Sequence, residues 1–206
     1  MTDRSGPPDG LPDGSVARSA ARDLQARFTE LYAGGDPWQA DSWYERRKRG
    51  VVLASLPVRR YGTVFEPGCG AGELTLGLAA RAERVLASDP VPVAVGRAAD
   101  ATRHLPGVSV SVAALPDAVP DAPVDLAVFS EVLYYLDDAT VSRTLDRTLA
   151  VTPAGADVVL VHWRGFPPEA PRDAEATYRM LRDRPELETV VSHVDEHFLL
   201  HVLRRG

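Results

Sequence analysis

The sequence has little that would let it bind nucleic acid, cross a bilayer or form disulfides. Its 206 residues carry 23 Lys and Arg against 29 Asp and Glu, a net charge of −6, whereas nucleic-acid-binding proteins present basic surfaces. Its longest apolar runs have the length of strands and fall far short of the ~20 residues that span a bilayer. The single cysteine, Cys69, excludes an internal disulfide and a zinc site built from several cysteines. We therefore expect a cytoplasmic protein without membrane or nucleic-acid partners.

The amino-terminal residues lack the apolar periodicity of a folded segment. Residues 1–15 are polar and rich in Gly, Pro and Asp, a composition that predicts a disordered leader rather than a signal peptide. Residues 16–206 have a length that suits one domain and contain no visible internal repeat. We expect them to form a single domain.

Residues 16–60 have the pattern of helices. Leu24 and Phe28 recur at helical spacing, and Ser42 precedes Glu45 by the interval of a capping box. The two predicted helices are expected to form a lid over the rest of the domain, which spans residues 61–206.

The rest of the chain alternates short apolar runs with helical stretches. Such alternation, with nearly continuous apolar strands, is typical of a parallel sheet covered by helices on both faces. The last two apolar runs lie close enough in the chain to pair antiparallel. The predicted fold is α/β and Rossmann-like: a seven-stranded, mostly parallel sheet with an antiparallel last strand and an N-terminal helical lid. The predicted strands are Thr63–Glu66, Val85–Asp89, Val108–Val112, Val124–Ser130, Val158–His162, Leu187–His193 and Phe198–Leu203.

A glycine-rich loop follows the first predicted strand and leads directly into a helix. It reads EPGCGAG from Glu66 to Gly72, at the strand end where open α/β sheets bind their ligands. The dinucleotide fingerprint G-x-G-x-x-G would need a glycine where Glu73 stands. The carboxylate of Glu66 would repel a pyrophosphate, but it suits a cationic ligand that carries an amino group. The pattern therefore favours a cofactor other than a dinucleotide.

A second acidic residue, Asp89, ends the second predicted strand. A carboxylate at that place can accept hydrogen bonds from both hydroxyls of a ribose. Together, the loop and this carboxylate resemble the class I S-adenosylmethionine-dependent methyltransferases. The resemblance implies that S-adenosylmethionine is the cofactor and that Glu66, Gly68, Gly70 and Asp89 bind it.

One feature of many class I members is missing after the third strand. Those members carry an acidic residue that contacts the adenine amino group, whereas residues 113–116 here read Ala-Ala-Leu-Pro. Backbone groups of Ala114 and Leu115 are therefore expected to line the adenine pocket. Ser130 at the end of the fourth strand and Tyr44 in the lid are further expected cofactor contacts.

Three more segments narrow the resemblance to the NodS-like branch, which is named after nodulation protein S. The resemblance covers about residues 36–205 and implies N-methyl transfer, because the founding protein methylates the free amine of a glucosamine at the end of a chitooligosaccharide. An amine on a small molecule, such as an amino sugar, is therefore the expected acceptor. The segments are Asp36-Pro37-Trp38 with SWYERRK from Ser42 to Lys48, SEVLYYL from Ser130 to Leu136, and His162-Trp163-Arg164.

These segments supply candidate residues for the acceptor. Glu131 would orient the ammonium form of the acceptor, and Glu131 or His162 would receive the proton, since a histidine titrates near neutral pH. Trp43, Tyr134 and Trp163 are expected to bind the acceptor, with Trp43 covering the site and Trp163 stacking on a sugar or caging a cation. Structural roles remain open: a helix-start carboxylate for Glu131, a backbone-bonded histidine for His162 and a buried ring for Trp163.

Two other functions fit the same motifs. O-methylation of a hydroxylated small molecule would require a true general base, because an alcohol must lose its proton as it attacks. A non-catalytic protein would bind S-adenosylmethionine without turnover. No spacing of histidines and carboxylates predicts a metal site. The sequence leaves the oligomeric state open.

Overall fold

The structure, a computed structural model, describes residues 14–168 and 170–206. The predicted leader lies outside the described residues except for Gly14 and Ser15, which begin the first helix. The helices are α1 (Gly14–Ala33), α2 (Trp43–Ser55), α3 (Glu73–Ala79), α4 (Pro92–Thr102), α5 (Asp138–Val151) and α6 (Ala174–Arg182), with a short 3-10 helix (Leu133–Tyr135) before α5. The strands are β1 (Tyr61–Pro67), β2 (Ala82–Asp89), β3 (Val108–Val112), β4 (Leu126–Ser130), β5 (Asp157–Trp163), β6 (Leu187–Val194) and β7 (Phe198–Arg205).

The seven strands form one sheet in the order β3-β2-β1-β4-β5-β7-β6. Strands β1 to β5 pair in parallel, whereas β7 runs antiparallel to both of its neighbours, β5 and β6. The predicted fold class is therefore confirmed. The fourth strand begins at Leu126, two residues later than predicted, and the first begins at Tyr61, two residues earlier.

Hydrophobic packing on both faces of the sheet explains the apolar strands. Successive residues of a strand point to opposite faces, so Val64 and Phe65 of β1 enter different core clusters. One cluster packs under Leu74 and Leu78 of α3, and the other packs under the apolar face of α5, which includes Leu145. Burial on two sides makes the central strands continuous apolar runs.

The sheet's strand order reverses next to β1, which lies between β2 and β4. In open α/β sheets, ligands bind at the carboxyl ends of the strands at such a switch point. We use "lid" for α1 and α2, which pack onto the domain through α4, α3 and β7. Among the described residues, no helix combines the length and apolar character needed to span a membrane.

Candidate active site

The glycine loop after β1 has a backbone that favours glycine. Gly68, Gly70 and Gly72 have φ angles of 72°, 57° and 93°, a region that other residues rarely adopt. A Cβ added at Gly70 would also lie 3.0 Å from the hydroxyl oxygen of Tyr32 in α1. The loop thus runs close beneath the lid, and its backbone is open to the cavity between them.

Asp89 at the end of β2 holds this loop in place. Its two carboxylate oxygens accept the backbone N–H groups of Gly70 at 3.0 Å and Val91 at 2.9 Å. Burial raises the pKa of Asp89, and these two hydrogen bonds oppose the rise. Since a carboxylate offers about four acceptor positions, roughly two remain for the hydroxyls of a ligand in the cavity.

Glu66 at the end of β1 is a buried carboxyl group that forms no ion pair with any residue the structure describes. It is only 2% exposed, and the Thr75 hydroxyl donates to its Oε2 at 2.7 Å. Burial raises the pKa of Glu66 to about 8. A positive charge placed beside this group would favour its ionised form. The site is therefore suited to a cationic ligand.

These observations fit S-adenosylmethionine, which carries an ammonium, a sulfonium and a ribose. The Tyr44 hydroxyl on α2 is buried without a hydrogen-bond partner among the described residues, and its side chain lines the cavity. Ala114, Leu115 and Ser130 line the cavity as well. The cavity measures about 2520 Å³, well above the ~300–1000 Å³ of a single small-ligand pocket. It has room for an acceptor beside the cofactor.

Glu131, directly after β4, also lines the cavity. Its Oε1 accepts from the Lys48 ammonium at 2.7 Å, and its Oε2 accepts from the Tyr134 hydroxyl at 2.6 Å and the backbone N–H of Trp163 at 2.8 Å. Burial raises the pKa of Glu131, but the Lys48 charge, the nearby His162 and the hydrogen bonds from Lys48 and Tyr134 together outweigh burial and lower it. The backbone of Glu131 has a φ of 56°, a strained conformation that is common at functional sites.

The structure places His162 behind this site rather than in it. The side chain is 1% exposed, does not line the cavity, and accepts the backbone N–H of Leu133 at its Nε2, 3.1 Å away. Burial lowers the pKa of His162 to about 4. This placement argues against His162 as the group that receives the acceptor's proton. It matches the structural alternative, in which the histidine supports the turn that carries Glu131.

Trp43 also differs from its predicted place. As the first residue of α2 it is 70% exposed, lies near the Arg47 guanidinium and does not line the cavity. Trp38, from the motif before α2, lines the cavity in its place, and Phe28 joins it edge-to-face with a centroid distance of 5.9 Å. The motif Asp36-Pro37-Trp38 thus supplies a tryptophan to the cavity, although the sequence alone predicted no role for Trp38.

The structure brings the other predicted residues together around one cavity. Tyr134 is buried beside Glu131, and Trp163 is partly exposed at the rim. The described part of the chain contains no cluster of three potential metal ligands. The cavity-lining residues from the prediction are Tyr44, Glu66, Gly68, Gly70, Asp89, Ala114, Leu115, Ser130, Glu131, Tyr134 and Trp163.

Comparison with known proteins identifies the family of this chain. The family model of nodulation protein S (NodS) matches residues 19–155. The chain belongs to the NodS family. The nodulation protein S of Sinorhizobium fredii (strain NBRC 101917 / NGR234) is 31% identical to this NodS-family chain over 154 residues, 68% of this chain and 71% of the relative.

Solved structures agree with this assignment. The crystal structure of the N-methyltransferase NodS from Bradyrhizobium japonicum WM9, in complex with S-adenosyl-L-homocysteine, is 25% identical, with a TM-score of 0.72. The match covers 92% of this chain and 98% of that one. A methyltransferase structure from Pseudomonas syringae is 38% identical over 80% of this chain and 100% of its own, with a TM-score of 0.71. This NodS-family chain is an S-adenosylmethionine-dependent N-methyltransferase.

Asp89 holds the glycine loop and is the expected ligand of the ribose, so its amide variant is informative. In Asp89→Asn, the amide nitrogen cannot accept a backbone N–H, so Gly70 or Val91 loses its partner. We expect a loss of about 1–3 kcal/mol in unfolding free energy, and S-adenosylhomocysteine binding weakened roughly 100-fold. Denaturation and calorimetric titration measure the two effects. Unchanged ligand affinity would contradict the assignment of Asp89 to the cofactor site.

Proposed function

We propose that this N-methyltransferase methylates the neutral amine of a small molecule, with an amino sugar as the first candidate. When bound, S-adenosylmethionine supplies a methyl carbon activated by a sulfonium, which a lone pair can displace in line. The chain's own task is to hold the amine near the methyl carbon, at roughly 3–3.5 Å, and to exclude water. No nucleic acid is proposed as acceptor, in keeping with the net charge of −6, and the cytoplasm is the proposed location.

The observation that carries this proposal is that neither His162 nor Glu131 is suited to be a general base at the acceptor end, the part of the cavity beside Glu131. In the part of the chain that the structure describes, no histidine lines the cavity. Burial raises the pKa of Glu131, but the Lys48 charge, the nearby His162 and hydrogen bonds together lower it, and Glu131 is therefore a weak base. An alcohol must be deprotonated as it attacks, whereas a neutral amine attacks with its own lone pair. The site therefore suits an amine better than an alcohol.

Glu131 has a role that does not require proton transfer before attack. Among the residues with described positions, Lys48 alone donates to its Oε1, which leaves room for an N–H of the acceptor. The lone pair of the amine then remains free for the methyl carbon. As positive charge develops on the nitrogen, the ionised carboxylate stabilises it. The product ammonium can release its proton to water afterwards.

Aromatic side chains around the cavity support a sugar as part of the acceptor. Trp38 and Tyr135 line one side and contact Phe28 edge-to-face, and Trp163 stands at the rim. Flat aromatic faces with a polar edge pack well against surfaces that are partly apolar and partly wet, as sugar rings are. We propose Trp163 and Trp38 as walls for the acceptor, with Tyr134 holding Glu131 through its hydroxyl.

The cofactor end follows from the carboxyl groups at the ends of β1 and β2. We propose that Glu66 binds the ammonium of S-adenosylmethionine and that Asp89 binds the ribose hydroxyls. The backbone of Gly68 and Gly70 would allow close approach of the cofactor. The hydroxyl of Tyr44, which has no hydrogen-bond partner in the described part of the chain, would donate to the cofactor carboxylate. Ala114 and Leu115 would flank the adenine, and Ser130 would lie near the methionine part.

The dependence of the rate on pH tests this mechanism. With primary amines of different basicity as acceptors, we expect kcat/KM to rise with pH up to the pKa of each acceptor. The pH profile should therefore shift from one amine to the next in parallel with the pKa of the amine, because the fraction of deprotonated acceptor limits the rate. Steady-state rates between about pH 6 and pH 10 measure this. One common profile for all amines would reveal an enzymic base and contradict the proposal.

A further inference from the structure

The only lysine of the chain, Lys48, lies in the wall of the cavity. It projects from α2 of the lid and is 5% exposed. Its ammonium donates to Glu131 Oε1 at 2.7 Å and to Glu45 Oε1 at 2.9 Å. The same ammonium lies 5.1 Å from the ring centre of Tyr44. A cation buried in this way between two carboxylates is held in one position.

Neighbouring basic residues of the lid do not share this arrangement. Arg47 pairs with Asp195 at the turn between β6 and β7, and neither side chain lines the cavity. Arg49 donates to the backbone carbonyl of Ala40. Of these three residues, only Lys48 forms an ion pair with the Glu131 carboxylate. The three side chains have different partners because successive residues of a helix point about 100° apart.

Lys48 changes which form of an amine the Glu131 carboxylate can accept. A protonated acceptor at Oε1 would bring a second ammonium against that of Lys48, and like charges in a partly buried site repel. A neutral amine meets no such repulsion and can donate an N–H to the remaining acceptor position. The other titratable groups that face Glu131 are Tyr134, from the 3-10 helix, and His162, from β5, with Tyr44 and Glu45 beside Lys48 on α2.

We propose that Lys48 is a positioning residue that makes the acceptor end selective for the neutral form of the amine. This inference rests on the proposed function. Since only the neutral form can attack, excluding the ammonium form keeps the site free of unproductive complexes. Lys48 also connects the lid to the loop after β4, so that selection depends on the lid being in place.

Competition by a permanent cation tests this directly in the wild-type protein. Glucosamine is the acceptor, and its trimethylammonium derivative and N-acetylglucosamine are the inhibitors, one cationic and one neutral. We expect the cation to inhibit no more strongly than the neutral sugar. A wild-type protein that binds the cation at least about tenfold more tightly contradicts the inference, whatever the variants do.

The variants Lys48→Met and Lys48→Arg separate this role from a structural one. Without its cation, the site presents two unneutralised carboxylates, and we expect Lys48→Met to bind the trimethylammonium sugar about tenfold more tightly. At pH 7 its KM for glucosamine should fall or stay level while kcat falls, because the ammonium form now occupies the site. Lys48→Arg should retain the wild-type profile of KM against pH. Arg47→Met, which removes a lid cation outside the cavity, is the matched control.

The outcomes separate this inference from the function on which it rests. If the wild-type protein methylates no amine, the proposed function fails. If glucosamine is methylated and Lys48→Met leaves cation inhibition and the KM profile unchanged, only the role of Lys48 is overturned. Should Lys48→Met not fold, the wild-type competition and the Lys48→Arg profile still decide the question.

Discussion

Replacement of Glu131 by glutamine is expected to lower kcat about 10²–10³-fold while leaving S-adenosylhomocysteine binding unchanged. The amide retains the shape of the side chain and can still accept from Tyr134 or Trp163, but it cannot stabilise the positive charge that develops on the acceptor nitrogen. Lys48 keeps Glu45, on its own helix, as an ion-pair partner. Steady-state kinetics with an amine acceptor and calorimetric titration with S-adenosylhomocysteine measure the two quantities.

Asp195→Asn is a suitable control for this experiment. It weakens the ion pair with Arg47 and therefore also removes a charge that ties the lid to the domain, yet Asp195 does not line the cavity. We expect activity close to that of the wild type. An equal loss in Glu131→Gln and Asp195→Asn would assign the effect to lid stability rather than to charge at the acceptor.

The second large effect concerns Glu66 and depends on pH. Burial raises the pKa of this carboxyl group from 4.5 to about 8, so the folded protein holds the proton more tightly than the unfolded chain does. The contribution of Glu66 to stability is therefore fully present below about pH 4.5 and is lost as pH rises through 8. Across that window the loss is on the order of 5 kcal/mol. The variant Glu66→Gln does not lose stability in this way as pH rises, and its amide oxygen still accepts from the Thr75 hydroxyl.

We therefore expect Glu66→Gln to be more stable than the wild-type protein at pH 8.5, with little difference at pH 5. The same variant should bind S-adenosylmethionine about 10–100-fold more weakly at pH 8.5, because the carboxylate is no longer there to pair with the ligand's ammonium. Chemical denaturation at both pH values and calorimetric titration provide the numbers. Glu83→Gln, an exposed carboxylate on β2, is the control. A variant of lower stability at pH 8.5 would show that Glu66 is already ionised and paired in the free protein.

Local sequence signals predicted the elements that position the site. The Ser42 hydroxyl accepts the Glu45 N–H at 3.2 Å, as the capping-box spacing indicated, and α2 begins at the next residue. The other half of the box is different, since the Glu45 carboxylate binds Lys48. The strand and helix signals sufficed for the fold because apolar periodicity is a property of neighbouring residues.

Local sequence signals could not predict contacts between segments that lie far apart in the chain. Lys48 and Glu131 are 83 positions apart, and nothing in either segment indicates that they form a pair. His162 and Trp163 were both expected at the acceptor site, but they are adjacent on β5, and side chains of adjacent strand residues point to opposite sides. That alternation was a usable signal against His162. The exposure of Trp43 could not be predicted from the sequence, because the contacts of α2 with β7 and α3 determine which side of that helix is exposed.

The position of the transferred methyl group distinguishes an amine acceptor from an alcohol. Glucosamine offers one amine and several hydroxyls in the same molecule, so a single reaction with methyl-labelled S-adenosylmethionine allows both chemistries. We expect the label on the nitrogen, detected by NMR of the product, and we expect its incorporation to fall in Glu131→Gln. Label on a hydroxyl oxygen would contradict the amine assignment and require a general base, a role that neither His162 nor Glu131 fits.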